Sequence, residues 1–300
     1  MNQERIQTFQ KFLVSLVAYT ILVILWGAWV RISHSGDGCG DTWPLCRGQM
    51  IPDAEQRKTW VEYAHRLMSG LYGIIVIALY FGGRKIFPKE HLARKIGFWT
   101  LFFMLTEALL GAKLVLFKLV GSNDSFFRLF AMTLHQINSL LLVGSTVIWA
   151  LLSQQSVSHT LQFRKKYYYA FILVAVTGAW AALSTTLFPS EGLLSGLSQD
   201  FSRDSHFILR LRILHPIIAL TVGSFFAIYF WKISDKTNDP KLKTLAICNS
   251  GIFIFAMLFG IFTLAFLSPI WMKLGHLAIA HLLWISLLNY AVISADANKR

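Results

Sequence analysis

Eight apolar stretches dominate this chain, centred near residues 12–30, 67–83, 96–112, 129–152, 167–188, 213–231, 244–267 and 274–293. Each runs for roughly 17 to 24 residues, enough for a helix to cross the ~30 Å hydrocarbon core of a bilayer. Helices also satisfy their own backbone hydrogen bonds where lipid offers none. Composition agrees: 55% of the 300 residues are hydrophobic and 14% charged, too little polar surface to cover a water-soluble globule of this size. An ordinary soluble enzyme is excluded. The expected fold is an all-α integral membrane protein, with eight transmembrane helices joined by seven connections.

A net charge of +13 would suit a nucleic-acid binder, but the basic residues sort by side of the membrane instead. Arg5 and Lys11 precede the first span, Arg84, Lys85, Lys89, Arg94 and Lys95 separate the second from the third, and Arg164, Lys165 and Lys166 the fourth from the fifth. Lys232, Lys236, Lys241 and Lys243 follow the sixth span, and Lys299 and Arg300 end the chain. That side holds 16 of the 28 basic residues, and the positive-inside rule makes it the cytoplasm, with both termini there and no nucleic acid among the partners. The first span has the basic start of a signal peptide, yet it is long and lacks a small-residue cleavage site, so it is expected to stay as a membrane helix. The roughly ten residues before it are too short for an organelle transit peptide, which points to a bacterial cell (inner) membrane crossed many times.

Sliding the chain against itself reveals a repeat. Gly27, Ala28 and Trp29 match Gly178, Ala179 and Trp180 at an offset of 151, and Ser33 then matches Ser184. His65 matches His215 at 150, Leu110, Gly111 and Leu114 match Phe259, Gly260 and Thr263 at 149, and His135 matches His276 at 141. The chain reads as a duplicated four-helix unit, residues 1–155 and 156–300. An even number of spans per unit gives both the same orientation, so two tandem four-helix bundles related by a pseudo-twofold axis along the membrane normal are expected.

One histidine in a membrane helix is costly and can be a ligand or a hydrogen-bonded core residue. Here each half places one on its second helix and one on its fourth, both within about three turns of the outer face. Two imidazoles facing each other in a four-helix bundle are a usual way to hold a planar haem, so His65 with His135 and His215 with His276 are candidate iron ligands. Arg31, Arg66, Arg128, Arg210, Arg212 and Lys273 lie near the same depth, where they could bind haem propionates or simply snorkel to the interface. Glu62 stands three residues before His65 while Arg212 holds that place before His215, an asymmetry that suits an acid–base group beside a reacting haem in the first half. Glu62 could equally be an ion-pair partner of Arg66. Glu107 and Lys113, both in the third span, are further candidates whose part the sequence leaves open. His34, His91, His159, His206 and His281 are read as structural or solvated. Cys39 and Cys46 share the long outer loop, where an oxidising compartment favours a disulfide over free thiols or a metal clip. Cys248, in the seventh span, is read as a small buried apolar residue.

The run from Arg31 through Cys39, Trp43 and Cys46 to Glu62, His65 and Arg66 closely resembles the first outer loop and second helix of bacterial haem A synthases. The resemblance covers the whole chain, including the duplicated halves and the spacing of Pro269 to His276. Two places depart from it: Pro216 follows His215 where many members have Arg, and Glu107 stands where many have Gln. The resemblance implies oxidation of the C8 methyl group of haem O to a formyl group, giving haem A for terminal oxidases, with the inserted oxygen taken from water. It implies that His65 and His135 hold the substrate haem, that His215 and His276 ligate a haem B cofactor, that Glu62 is the essential acid, and that Cys39 and Cys46 form the outer-loop disulfide. Handover from a haem O synthase in the same membrane is expected, and the sequence does not identify the electron donor.

Two other classes remain in view. A diheme electron carrier of the quinol-oxidising type would need the histidine pairs but not Glu62. A repeat-built transporter would use His and Glu as a proton relay and bind no haem.

Overall fold

The computed structural model describes residues 2–53, 55–153 and 165–297. The chain divides into two compact units, one of Met1–Gln162 with Ala295–Arg300 and one of Phe163–Ser294. The boundary expected between residues 155 and 156 lies outside the described residues, as do His159, Arg164, Lys299 and Arg300. The described residues form ten helices: α1 (Gln3–Ile32), α2 (Arg57–Ile86), α3 (Leu92–Leu116), α4 (Phe126–Leu152), α5 (Lys165–Leu187), α6 (Leu193–Phe201), α7 (Phe207–Arg212), α8 (Leu214–Lys236), α9 (Pro240–Ala265) and α10 (Ile270–Ala297). Eight stretches are long and apolar enough to span a bilayer, with α7 and α8 acting as one. The protein is therefore all-α and multi-pass.

Polar caps set where several of the helices begin, and α1 outruns its apolar core at its capped end. Asn2 accepts hydrogen bonds from the amides of Glu4 and Arg5, Ser125 accepts from Arg128, and Asp239 accepts from Lys241 and Leu242 with Pro240 in the first turn. In the first unit α1 packs on α2 and α4, and α3 closes the ring against the same two helices. α2 and α4 thus face each other across the bundle. Apolar packing concentrates where α1 begins and α4 ends: Phe9, Leu13, Leu16, Val76, Phe87 and Trp149 form one buried cluster, with Phe9 edge-on to both Phe87 and Trp149 at 5.6 Å. Polar groups are left to the opposite end, where α1 leads into the 33–56 loop.

In the second unit α5 packs on α7 and α8, and α8 packs on α9. α10 completes it through ring contacts, Trp284 with Tyr168 and Phe171 of α5, Tyr290 with Phe230 of α8, and His276 with Phe259 of α9. The sixth span differs from a single rod, because α7 ends at Arg212 and α8 resumes at Leu214. Pro216 has no amide hydrogen to give the Arg212 carbonyl, so the helical ladder breaks there. The connection before it carries an unanticipated helix, α6, which buries Gly196 and Asp200. Cys248 corrects the sequence reading: it is exposed on α9. Hydropathy cannot separate the lipid-facing side of such a helix from its packed side, since both are apolar.

Candidate functional site

The four matched histidines share one local arrangement. A Cβ placed on Gly27 would come within 2.9 Å of the His65 ring, on Gly178 within 3.0 Å of His215, on Gly260 within 3.0 Å of His276, and on Gly111 within 3.9 Å of His135. Each histidine therefore lies against a glycine of a neighbouring helix, α1 or α3 in the first unit and α5 or α9 in the second. The missing side chain is what lets three of these rings come so close to the helix beside them. The repeat that the sequence displayed as Gly27 with Gly178 and Gly111 with Gly260 is the trace of this packing.

His65 and His135 lie within electrostatic reach of each other. The rings of His215 and His276 stand 6.2 Å apart at an interplanar angle of 75°. The Nδ1 atoms of His65, His135 and His276 are enclosed without a hydrogen-bond partner, and that of His215 lies 3.5 Å from the Thr177 hydroxyl. The His135 side chain is 32% exposed even so, so its accessible edge is turned away from Nδ1. Glu107 sits behind it, Oε1 at 3.5 Å from Nδ1, a charge contact too loose for a hydrogen bond. Asn138 and Ser139, one turn along α4, donate to the two Glu107 oxygens, and Asn138 also accepts from Thr106. Lys113 lines a groove of about 360 Å³ between α3 and α4, with Thr106, Leu110 and Asn138. Among the described residues no three His, Cys, Asp or Glu gather as a metal cluster. Paired imidazoles are a donor set for a metal that brings its remaining ligands with it.

Charged residues at the loop end are mostly committed to the chain itself. Glu62 is 3% exposed; its Oε2 accepts from the Cys39 amide at 2.9 Å and its Oε1 from Arg66 at 2.6 and 3.2 Å. Arg66 also donates to the carbonyls of Thr42 and Leu45, both at 2.7 Å. This i,i+4 pair grips the loop that the Cys39–Cys46 disulfide closes, with both cysteines fully buried. Arg212 makes the corresponding clamp in the second unit, pairing with Asp200 at 2.7 Å and donating to the Ser190 hydroxyl and the Gly196 carbonyl. Arg128 gives Nη1 to the carbonyls of Gly121 and Asn123 while its Nε has no partner. Arg31 has an enclosed, unpartnered Nε as well. Outside the spans, Asp41 takes a 3.1 Å ion pair from Lys118, whose hydrogen bond holds its carboxyl below the usual range.

Within each unit taken by itself the expected residues form two groups: a histidine pair, on α2 with α4 or on α8 with α10, and arginine contacts that hold loops, made by Arg66 with Glu62 and by Arg128 in the first unit and by Arg212 in the second. Sequence reasoning missed Asp200, Asn138 and Ser139. Asn138 and Ser139 were findable as polar residues three and four positions after His135. Asp200 carried no such signal. Three of the remaining histidines have local roles: His91 and His206 cap α3 and α7, and His281 is buried with Nδ1 2.9 Å from the Leu277 carbonyl.

A family profile described as COX15-CtaA, cytochrome oxidase assembly protein, matches residues 10–288. The chain is 35% identical over 280 residues to a Thermus thermophilus protein named protoheme IX farnesyltransferase, covering 90% of this chain and 46% of that protein. It is 41% identical over 99 residues to a heme A synthase of Symbiobacterium thermophilum, 33% of this chain and 32% of that one. A heme A synthase of Bacillus pumilus matches at 30% over 229 residues, 71% of this chain and 72% of that one. The chain spans less than half the length of the Thermus protein.

Proposed function

The chain belongs to the COX15-CtaA family of cytochrome oxidase assembly proteins, and from that premise we propose that it is a haem A synthase, an oxidoreductase that converts the C8 methyl group of haem O to a formyl group. The observation that carries this is the doubled pair of histidines, each set against a glycine of the next helix. Farnesyl transfer is the weaker guide, because the relative named for it extends far beyond the match, whereas a synthase is matched over 72% of its length.

The spacing of the second-unit pair supports a haem there, and the first-unit pair offers the same donor set. Two metal–imidazole bonds of about 2 Å each, with the depth of two rings, span about the 6.2 Å between His215 and His276. We assign His215 and His276 to a haem B cofactor and His65 and His135 to the substrate haem. Bound haem supplies redox-active iron. With water as the oxygen source, methyl plus water gives formyl, four protons and four electrons, so the electron partner of that reaction must be an acceptor. Glu62 is the proton-accepting group in this reading: Oε1 is saturated by Arg66, while Oε2 accepts only the Cys39 amide and keeps a lone pair. Arg66 and Arg212 contribute by fixing the loops, and Arg128 keeps Nε available for a propionate. The N- and C-termini are assigned to the cytoplasm, with haem O handed over within the membrane by a haem O synthase.

Glu62→Gln is the test. Haem A formation is expected to fall by about 10²-fold or more, with the second-unit haem spectrum retained. Conversion at the unaltered rate overturns the assignment of Glu62, and haem B as the sole extractable haem from cells that make haem O favours a diheme electron carrier instead.

A further inference from the structure

We propose that Arg31 is the residue by which the first unit recognises a carboxylate of its ligand, forming an anion site that the second unit lacks. The proposal rests on the reading of the first unit as a haem site.

Arg31 lies in the last turn of α1, four residues after Gly27, so both occupy one face of the helix with Arg31 a turn nearer the loop end. Gly27 is the residue packed on His65. A group held by His65 is thereby brought beside Arg31. The Nε of Arg31 is fully enclosed and unpartnered, and among the described residues its side chain makes no hydrogen bond and no ion pair. The charge that acts on it is another cation, Arg128, which is 2% exposed and has an orphaned Nε of its own. Arg128 is partly answered by Asp124 and by the carbonyls of Gly121 and Asn123. Arg31 has no such answer.

A helix C-terminus favours a cation, but that field leaves the N–H groups of Arg31 unbonded. Buried charges are otherwise paired or hydrogen-bonded. Arg31 is half-buried, with Nε sealed and the rest of the guanidinium reaching accessible surface, so beside a second guanidinium and with no acid of its own it is placed to take an anion, and the planar fork of arginine matches a carboxylate. Arg66 is already spent on Glu62 and Arg212 on Asp200, while Arg210 is exposed on α7. By the repeat offsets Arg31 corresponds to Ala182 and Arg128 to Pro269, so neither cation recurs. Lys273 of the second unit gives its Nζ to the Thr185 carbonyl at 3.2 Å. Arg31 is therefore a specificity-determining residue of one unit.

The experiment compares binding of haem O and of its dimethyl ester, whose two propionates are capped, to detergent-purified protein already loaded with haem B. The unaltered protein is expected to prefer the free acid by about tenfold or more. In Arg31→Gln that preference should collapse toward unity through weaker binding of the acid, with affinity for the ester and the haem B spectrum unchanged. Retained preference overturns the proposal, as does equal weakening of acid and ester, which marks a structural role. Should Arg31→Gln not be recovered, Arg31→Lys keeps the charge without the fork, and a reduced preference supports the site while a full one overturns it. An unaltered protein that takes up neither compound overturns the haem reading of the first unit, a result distinct from loss of discrimination.

Discussion

At the scale of single residues, glycine and histidine define this protein together. A methyl group on Gly27 would sit 2.9 Å from Cε1 of His65, and one on Gly178 would sit 3.0 Å from Cε1 of His215. No real Cβ tolerates the first distance, so the ring has to turn or the helix has to move, at a cost of about 1–3 kcal/mol in a packed site. Gly27→Ala is expected to weaken haem uptake by the first unit by about 5- to 150-fold and leave the second-unit haem spectrum intact. Gly178→Ala should do the reverse, so that purified protein retains less haem B. Absorption spectra and extracted-haem analysis of the two variants check both. All four glycines and all four histidines were visible as repeat matches in the sequence. Their mutual contact was not, because it depends on which helices lie side by side.

At the scale of elements, the 33–56 loop and the first two turns of α2 behave as one piece. Glu62 and Arg66 hold the backbone of Cys39, Thr42 and Leu45, and Thr59 donates to the Gly38 carbonyl at 2.9 Å. The disulfide closes a loop of sequence separation 7, worth about 2–3 kcal/mol by chain entropy. Cys39→Ser is expected to loosen the grip on Glu62 and lower haem A formation while haem B binding in the second unit persists. Parallel assays of conversion and of the haem B spectrum check it, and loss of both would show a role in folding the whole chain. The neighbouring Asp41–Lys118 pair is exposed and contributes weakly. Because the Asp41 carboxyl is held below its usual range by Lys118, its stabilising effect is present above the ordinary carboxylate range and disappears as pH falls through the depressed value. Protection of the loop amides, after correction for the intrinsic pH dependence of exchange, should fall across that acidic window in the unaltered protein, and Asp41→Asn should remove that fall.

At the scale of the whole molecule, eight apolar spans make the chain a membrane protein, and the proposed direction rests on the charge distribution. Reporter domains fused at either end are expected to be active only when they require the cytoplasm, and activity on the opposite face would reverse the assignment. The same inversion would move the Cys39–Cys46 disulfide into a reducing compartment, so the two observations constrain each other.

The sequence by itself determined the number of spans and marked the four matched histidines and the two loop cysteines as the residues to watch, because each is written in local hydropathy, spacing or residue type. Only the tertiary structure decided what the charged residues do. Glu62 and Arg212 stand at matching places before two histidines, and the structure adds that each also belongs to a clamp on its own loop, one closed by Arg66 and the other by Asp200. Arg31, indistinguishable from its neighbours in sequence, has its Nε sealed without a partner beside a second guanidinium. Pairing between charges depends on which segments meet in space, and hydropathy and periodicity carry no record of that.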